Sequence, residues 1–157
     1  MDHFPDVATL VAIYNQINTY GRTNGMELLL QQPGEVQYRM TVKEEHLSSP
    51  GTCHGGVLAG LLDSALGAAA LSLAFTAGEL VSTVEFKINY LYPVHLHDHL
   101  IAHGTVEHSG KTLIVSSAVI RCPTHDNRVV ARGLGTFNRY PATKRDFHDL
   151  LFPASPE

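Results

Sequence analysis

Apolar and polar positions change their period several times along the chain, and each change predicts an element. Val7, Leu10, Val11, Tyr14 and Ile17 recur at i, i+3, i+4 spacing. That predicts an amphipathic helix over about residues 5–20, with Pro5 in its first turn and Gly21 as its stop. Met26, Leu28 and Leu30 then alternate with Glu27 and Gln31. After the Pro33-Gly34 turn, Val36, Tyr38, Met40 and Val42 alternate with Gln37, Arg39, Thr41 and Lys43. Both stretches read as half-buried strands. Ser48-Ser49-Pro50-Gly51 reads as loop, and from about 55 to 76 polar residues nearly vanish, which predicts one long buried helix. Val84, Phe86, Ile88 and Tyr90 alternate with Glu85, Lys87 and Asn89 up to Pro93. Strands over 99–108 and 111–122 flank a hairpin turn at Ser109-Gly110-Lys111, and a turn around His125-Asp126-Asn127 leads into a last strand over 128–138. The tail from Pro141 reads as a short helix around 147–151.

The order is helix, two strands, long helix, then strands joined by short connections, so the sheet should be antiparallel. A helix of about 20 residues needs a curved sheet around it. The expected architecture is α+β, an antiparallel sheet wrapped around one long central helix, with an N-terminal helix beside it. No repeat, low-complexity tract or linker interrupts the chain. At 157 residues it reads as a single domain over 1–157, with a core of about 22–140 and a tail of 141–157.

Composition narrows the function. A formal charge of -4, with Lys and Arg scattered, gives no electrostatic case for nucleic acid. Cys53 and Cys122 form no paired motif, and the acidic start Met1-Asp2-His3-Phe4-Pro5-Asp6 lacks the form of a targeting signal. Both point to the cytoplasm. The apolar run from 57 to 77 contains Asp63, and Ala, Gly and Ser dominate its second half. A central Asp costs about 2.5–3.5 kcal/mol in a membrane span, so a core helix is the better reading and no membrane is expected.

The chemistry concentrates in His54-Gly55-Gly56-Val57-Leu58-Ala59-Gly60-Leu61-Leu62-Asp63. A helix that starts on glycines leaves backbone N–H groups free to meet an anion or a polarised carbonyl, and Gly55 permits close approach. A carboxylate inside an apolar helix is costly unless paired or used. Gly55 as oxyanion donor and Asp63 as nucleophile or general base suit hydrolysis; the residues alone do not choose between the two roles of Asp63. The plainer readings are helix packing for Gly55 and a local pairing for Asp63. Eight residues separate the two, roughly 12 Å along one helix. One substrate cannot react at both ends of that gap, so the site should combine two subunits.

This segment, together with Thr83-Val84-Glu85-Phe86-Lys87-Ile88-Asn89-Tyr90-Leu91-Tyr92-Pro93, Ser109-Gly110-Lys111 and Val130-Ala131-Arg132-Gly133-Leu134-Gly135-Thr136-Phe137, resembles the PaaI-like hotdog-fold acyl-CoA thioesterases over about residues 22–140. The resemblance implies hydrolysis of acyl-CoA or aryl-CoA to free acid and coenzyme A. It implies a homodimer with its active sites at the interface, pairing again into a homotetramer. Position by position it makes Asp63, Gly55, His54 and Thr83 catalytic, with His54 bonding the thioester or orienting the loop and Thr83 holding the attacking water. Gly56, Gly110, Lys111 and Thr112 would contact the substrate, the basic turn meeting the phosphates of coenzyme A. Ser48 falls where some relatives carry an amide side chain; serine is shorter and donates differently. No cofactor is expected beyond the coenzyme A of the substrate, and no metal.

Two other patterns compete. His95-Leu96-His97-Asp98-His99 would place three imidazoles on one face of an extended strand. It lacks the strand–helix setting of metallohydrolases and reads as an exposed strand start. Cys53 beside His54 is not a nucleophile–base pair, because adjacent side chains diverge. The alternative functions are a hotdog hydratase or dehydratase acting on enoyl or hydroxyacyl thioesters, and a non-catalytic acyl-CoA-binding module.

Overall fold

The computed structural model describes residues 6–144. In chain order the elements are α1 (Val7–Ile17), α2 (Thr19–Thr23), β1 (Glu27–Gln32), β2 (Glu35–Thr41), β3 (Leu47–Ser49), β4 (Thr52–Cys53), α3 (Gly55–Phe75), β5 (Glu79–Tyr90), β6 (His99–Ser109), β7 (Leu113–Cys122) and β8 (Arg128–Pro141). Six strands make one antiparallel sheet in the order β1-β2-β6-β7-β8-β5, and β3 pairs with β4 in a small hairpin. The sheet wraps α3, whose Leu61, Leu62, Ala65, Leu66, Ala69 and Ala70 are fully buried. This is the expected α+β hotdog architecture. The apolar run is a core helix because the sheet takes up its greasy surface. A Cβ at Gly104 would collide with the Ala65 carbonyl, so glycine lets β6 cross the helix closely.

Four local expectations are corrected. The N-terminal helix is two helices, not one over 5–20. Asn18 ends α1 and caps α2 by accepting from the Gly21 N–H. Gly21 is therefore buried within α2 rather than a stop, and the chain leaves the helix at Asn24 and Gly25, whose φ is +67°. Asp6 caps α1 by accepting from Thr9 N–H, whereas Pro5 lies outside the described residues, as does the helix expected around 147–151. The loop at 48–51 is largely the β3–β4 hairpin. Ser48 donates to the Thr52 carbonyl within that hairpin at 3.5 Å. Finally, His95 to His99 is not an extended strand. His97 has φ +70° in a turn, so the three imidazoles do not share a face.

The strand expected from Val84 starts earlier, at Glu79, and contains a bulge. Thr83 pairs with Phe137 and Glu85 with Thr136, leaving Val84 extra and 58% exposed. A bulge shifts the two-residue alternation by one. Val81 and Thr83 thus face the cavity beside α3, while beyond the bulge Phe86 and Ile88 pack on the core.

Candidate active site

His54 is the N-cap of α3. Its Nδ1 accepts from the Gly56 N–H at 2.7 Å, and its carbonyl accepts from the Val57 N–H at 3.0 Å. These bonds consume the second and third amides of the helix. The Gly55 N–H, the first, has no partner among the described residues and carries the positive end of the helix dipole. The Tyr90 hydroxyl donates to the Gly55 carbonyl at 2.8 Å, and the Tyr90 ring lies 3.3 Å from where a Gly55 Cβ would be. A small cleft of about 250 Å³ opens beside them, lined by Gly55, Leu58 and Tyr90 to Val94. Cys53, just before the cap, is buried. Burial, with the nearby Asp98 charge, pushes its thiol pKa up to about 11, so it stays protonated and unreactive near neutrality.

Two turns further along α3, Asp63 is half-buried. Thr83 Oγ donates to Asp63 Oδ1 at 3.1 Å. Burial raises the Asp63 pKa above its ordinary value, and the Thr83 hydrogen bond partly opposes this by favouring the carboxylate. The pair lies on the wall of an apolar cavity of about 370 Å³, closed on its far side by Leu10, Ile13, Tyr14 and Ile17 of α1. Asn15 docks that helix on β1, donating to the Leu28 carbonyl at 2.9 Å and accepting from the Leu28 N–H at 3.0 Å. Tyr14 sits close enough for the Asp63 charge to add to the burial that raises its phenol pKa. It therefore remains a neutral phenol beside the acid.

The structure thus brings Asp63 to Thr83, and His54 to Gly55 and Gly56, but keeps the two groups apart at opposite ends of one helical segment. The Gly110–Thr112 turn lies elsewhere. The Gly110 and Thr112 backbones are held by Arg139, whose Nη1 donates to the Gly110 carbonyl and whose N–H donates to the Thr112 carbonyl. Lys111 is exposed. Through the ladder from β7 to β8 to β5, this turn lies beyond the Thr83 row, away from Gly55. Tyr14 and Tyr90 are site residues that sequence reasoning missed. Each occupies an apolar position of its element, so periodicity assigns both to packing, and only the placement of their polar ends marks them out. Leu61 and Leu62 are entirely in the core, and α1 shares the wall of the cavity beside Asp63 with α3, β5 and β8.

An antiparallel sheet wrapped around one long central helix is the hotdog architecture. Residues 50–127 match the profile of the thioesterase superfamily. The chain is 36% identical over 90 residues to human acyl-coenzyme A thioesterase 13, a match spanning 57% of this chain and 63% of that relative's length. The structure of the Escherichia coli PaaI protein, from the phenylacetic acid degradation operon, superposes with a TM-score of 0.77 at 26% identity, covering 85% of this chain and 94% of that one. A hypothetical thioesterase from Streptococcus pneumoniae, solved with coenzyme A, superposes with a TM-score of 0.66 at 28% identity, covering 74% and 86%.

Proposed function

We propose that this protein hydrolyses acyl-CoA or aryl-CoA thioesters to the free acid and coenzyme A. The observation that carries the reading is Asp63, its pKa raised by burial, held by Thr83 on the wall of an apolar cavity. The acyl group enters that cavity. Asp63 acts as general base, since a raised pKa suits it to accept a proton near neutrality. It takes a proton from water as the water oxygen attacks the thioester carbon. The carbonyl oxygen becomes an oxyanion and is met by the Gly55 N–H of the partner subunit. The C–S bond then breaks, and the departing thiolate takes the proton from Asp63. His54 orients the loop that presents the amide, with Gly56 as its bonded neighbour, and Thr83 holds the water. The Gly110-Lys111-Thr112 turn receives the phosphates of coenzyme A. No cofactor or metal enters the reaction.

The composite site requires a dimer. Its support is the roughly 12 Å between Gly55 and Asp63 along α3, together with the edge position of β5. Val84, Tyr90, Leu91 and Tyr92 are all about half exposed on or just after that strand. An apolar edge strand of this kind suits pairing with a second copy. Leu113 and Leu134, exposed on the outer face of the sheet, suit a further pairing into a tetramer. Two free, buried cysteines are in keeping with a cytoplasmic protein.

The test is thiol release from a panel of acyl- and aryl-CoAs, with wild type and Asp63→Asn side by side. Release by wild type that is lost in the variant supports the reading. Conversion of an enoyl-CoA to hydroxyacyl-CoA without thiol release would make the protein a hydratase. Tight binding without turnover would make it an acyl-CoA-binding module.

A further inference from the structure

His95, Asp98 and His125 lie outside the site described above, and the fold brings them together from two separate turns. His95 and Asp98 flank the turn at His97; His125 ends the short 3-10 helix Pro123–His125 between β7 and β8. His125 Nε2 lies 2.9 Å from Asp98 Oδ1, and His95 Nδ1 lies 3.9 Å from Asp98 Oδ2. One ligand atom from each residue falls within 4.8 Å of the others. We propose that these three side chains form a binding site for a divalent transition-metal ion of the zinc type.

The donor set suits such an ion. Two imidazoles and one carboxylate are ligands that zinc, cobalt and nickel accept. Ligands of a tetrahedral ion with bonds near 2.1 Å sit roughly 3.4 Å apart. The two imidazoles lie 2.9 and 3.9 Å from opposite oxygens of Asp98, and with one ligand atom from each residue all within 4.8 Å, small ring rotations close the site to that spacing. The Asp98 side chain is only 5% exposed, while those of His95 and His125 are 49% and 41% exposed. The anionic ligand is thus fixed inside and the outward coordination positions stay open to water. Asp98 is also preoriented, because its Oδ2 accepts from the His95 N–H at 2.9 Å. Among the described residues its ion-pair partners are these two histidines alone, so no lysine or arginine balances the buried carboxylate. A divalent ion would do so.

The location gives the ion a structural task. His95 pairs with Thr52, and the Val94 carbonyl accepts from the Cys53 N–H at 2.7 Å. An ion held here clamps the β7–β8 turn to the segment that steadies β4, immediately before His54.

Full-length protein stripped by a chelator would be titrated with Zn²⁺ by calorimetry and with Co²⁺ by visible absorbance, and its thermal unfolding followed with and without Zn²⁺. His95→Ala removes an exposed ring and keeps the main-chain bond to Asp98. His97→Asn alters a neighbouring exposed histidine outside the cluster, with a residue that tolerates its positive φ. We expect one Zn²⁺ per chain with Kd at or below ~10 µM, weakened at least about tenfold in His95→Ala and unchanged in His97→Asn. Zn²⁺ should raise the Tm of wild type and of His97→Asn but not that of His95→Ala. Equal binding by wild type and His95→Ala, or no saturable binding below ~1 mM, would overturn the proposal and leave the cluster as a hydrogen-bonded turn.

Discussion

Thr83 donates its hydroxyl hydrogen to Asp63 Oδ1 across 3.1 Å, joining the edge strand to the central helix. Burial and this hydrogen bond act on the Asp63 pKa in opposite directions, burial being the larger. Replacing Thr83 by Val removes the bond but not the burial, so the pKa should rise further. A general base works only when deprotonated, so the acidic limb of the kcat profile should move to higher pH. The kcat at neutral pH should fall by about 10–100-fold, the worth of a hydrogen bond to a charged group. Thr83→Ser should keep the wild-type profile. A pH–rate series on the three proteins checks this, and an unshifted limb in Thr83→Val would remove Thr83 from the tuning of Asp63.

Asp63→Asn should abolish turnover, by about 10²–10⁴-fold or more, without harming the fold. Its stability should also separate from wild type in a pH-dependent way. The pKa of Asp63 is raised in the folded state, so the protonated form is favoured by folding. That contribution is complete below the ordinary carboxylate value of 3.8 and is lost as pH rises through the higher folded value. The Tm of the variant relative to wild type should therefore increase as pH rises through this window. Thermal melts from pH 3.5 to 8 measure it; a constant difference would contradict the raised pKa.

If the partner subunit supplies Gly55, two inactive variants should complement. Gly55→Val drives a side chain into the Tyr90 ring and spoils the amide, while Asp63→Asn removes the base. In a mixed dimer one site regains both wild-type groups. Equal mixing with subunit exchange should restore about a quarter of the wild-type rate, since about half the dimers are mixed and each has one intact site. No recovery after demonstrated exchange would place both groups in one chain's site.

The cavity behind Asp63 should set acyl preference through α1. Ile13→Trp adds bulk to its wall and should lower kcat/KM for long-chain acyl-CoAs at least about tenfold, while sparing acetyl-CoA. A uniform change across chain lengths would place the acyl group elsewhere.

Much of this was legible from residues close together in sequence. The all-round apolarity of 55–75 determined a buried central helix, since no amphipathic helix could bury such a surface against one neighbour alone. The strict alternation over Val36 to Val42 determined a half-buried strand. The His54-Gly55-Gly56 start marked where the central helix begins with an open amide, because helix caps and free amides are local properties of a helix terminus.

Tertiary structure decided what depends on partners distant in sequence. Two-residue alternation places Val84 inward and Thr83 outward; only the bulge against β8 reverses that, and lets one strand deliver Thr83 to Asp63 and Tyr90 to Gly55. Gly21 looked like a helix stop because glycine is a good one, yet the Asn18 cap outweighed it. The histidines at 95, 97 and 99 dispersed once His97 entered a turn, and His95 instead met Asp98 and a histidine 30 residues away in sequence. One side of the cavity beside Asp63 is closed by α1, which Asn15 anchors to the backbone of Leu28. Periodicity records which face of an element is buried; which element covers that face is settled only when the chain packs.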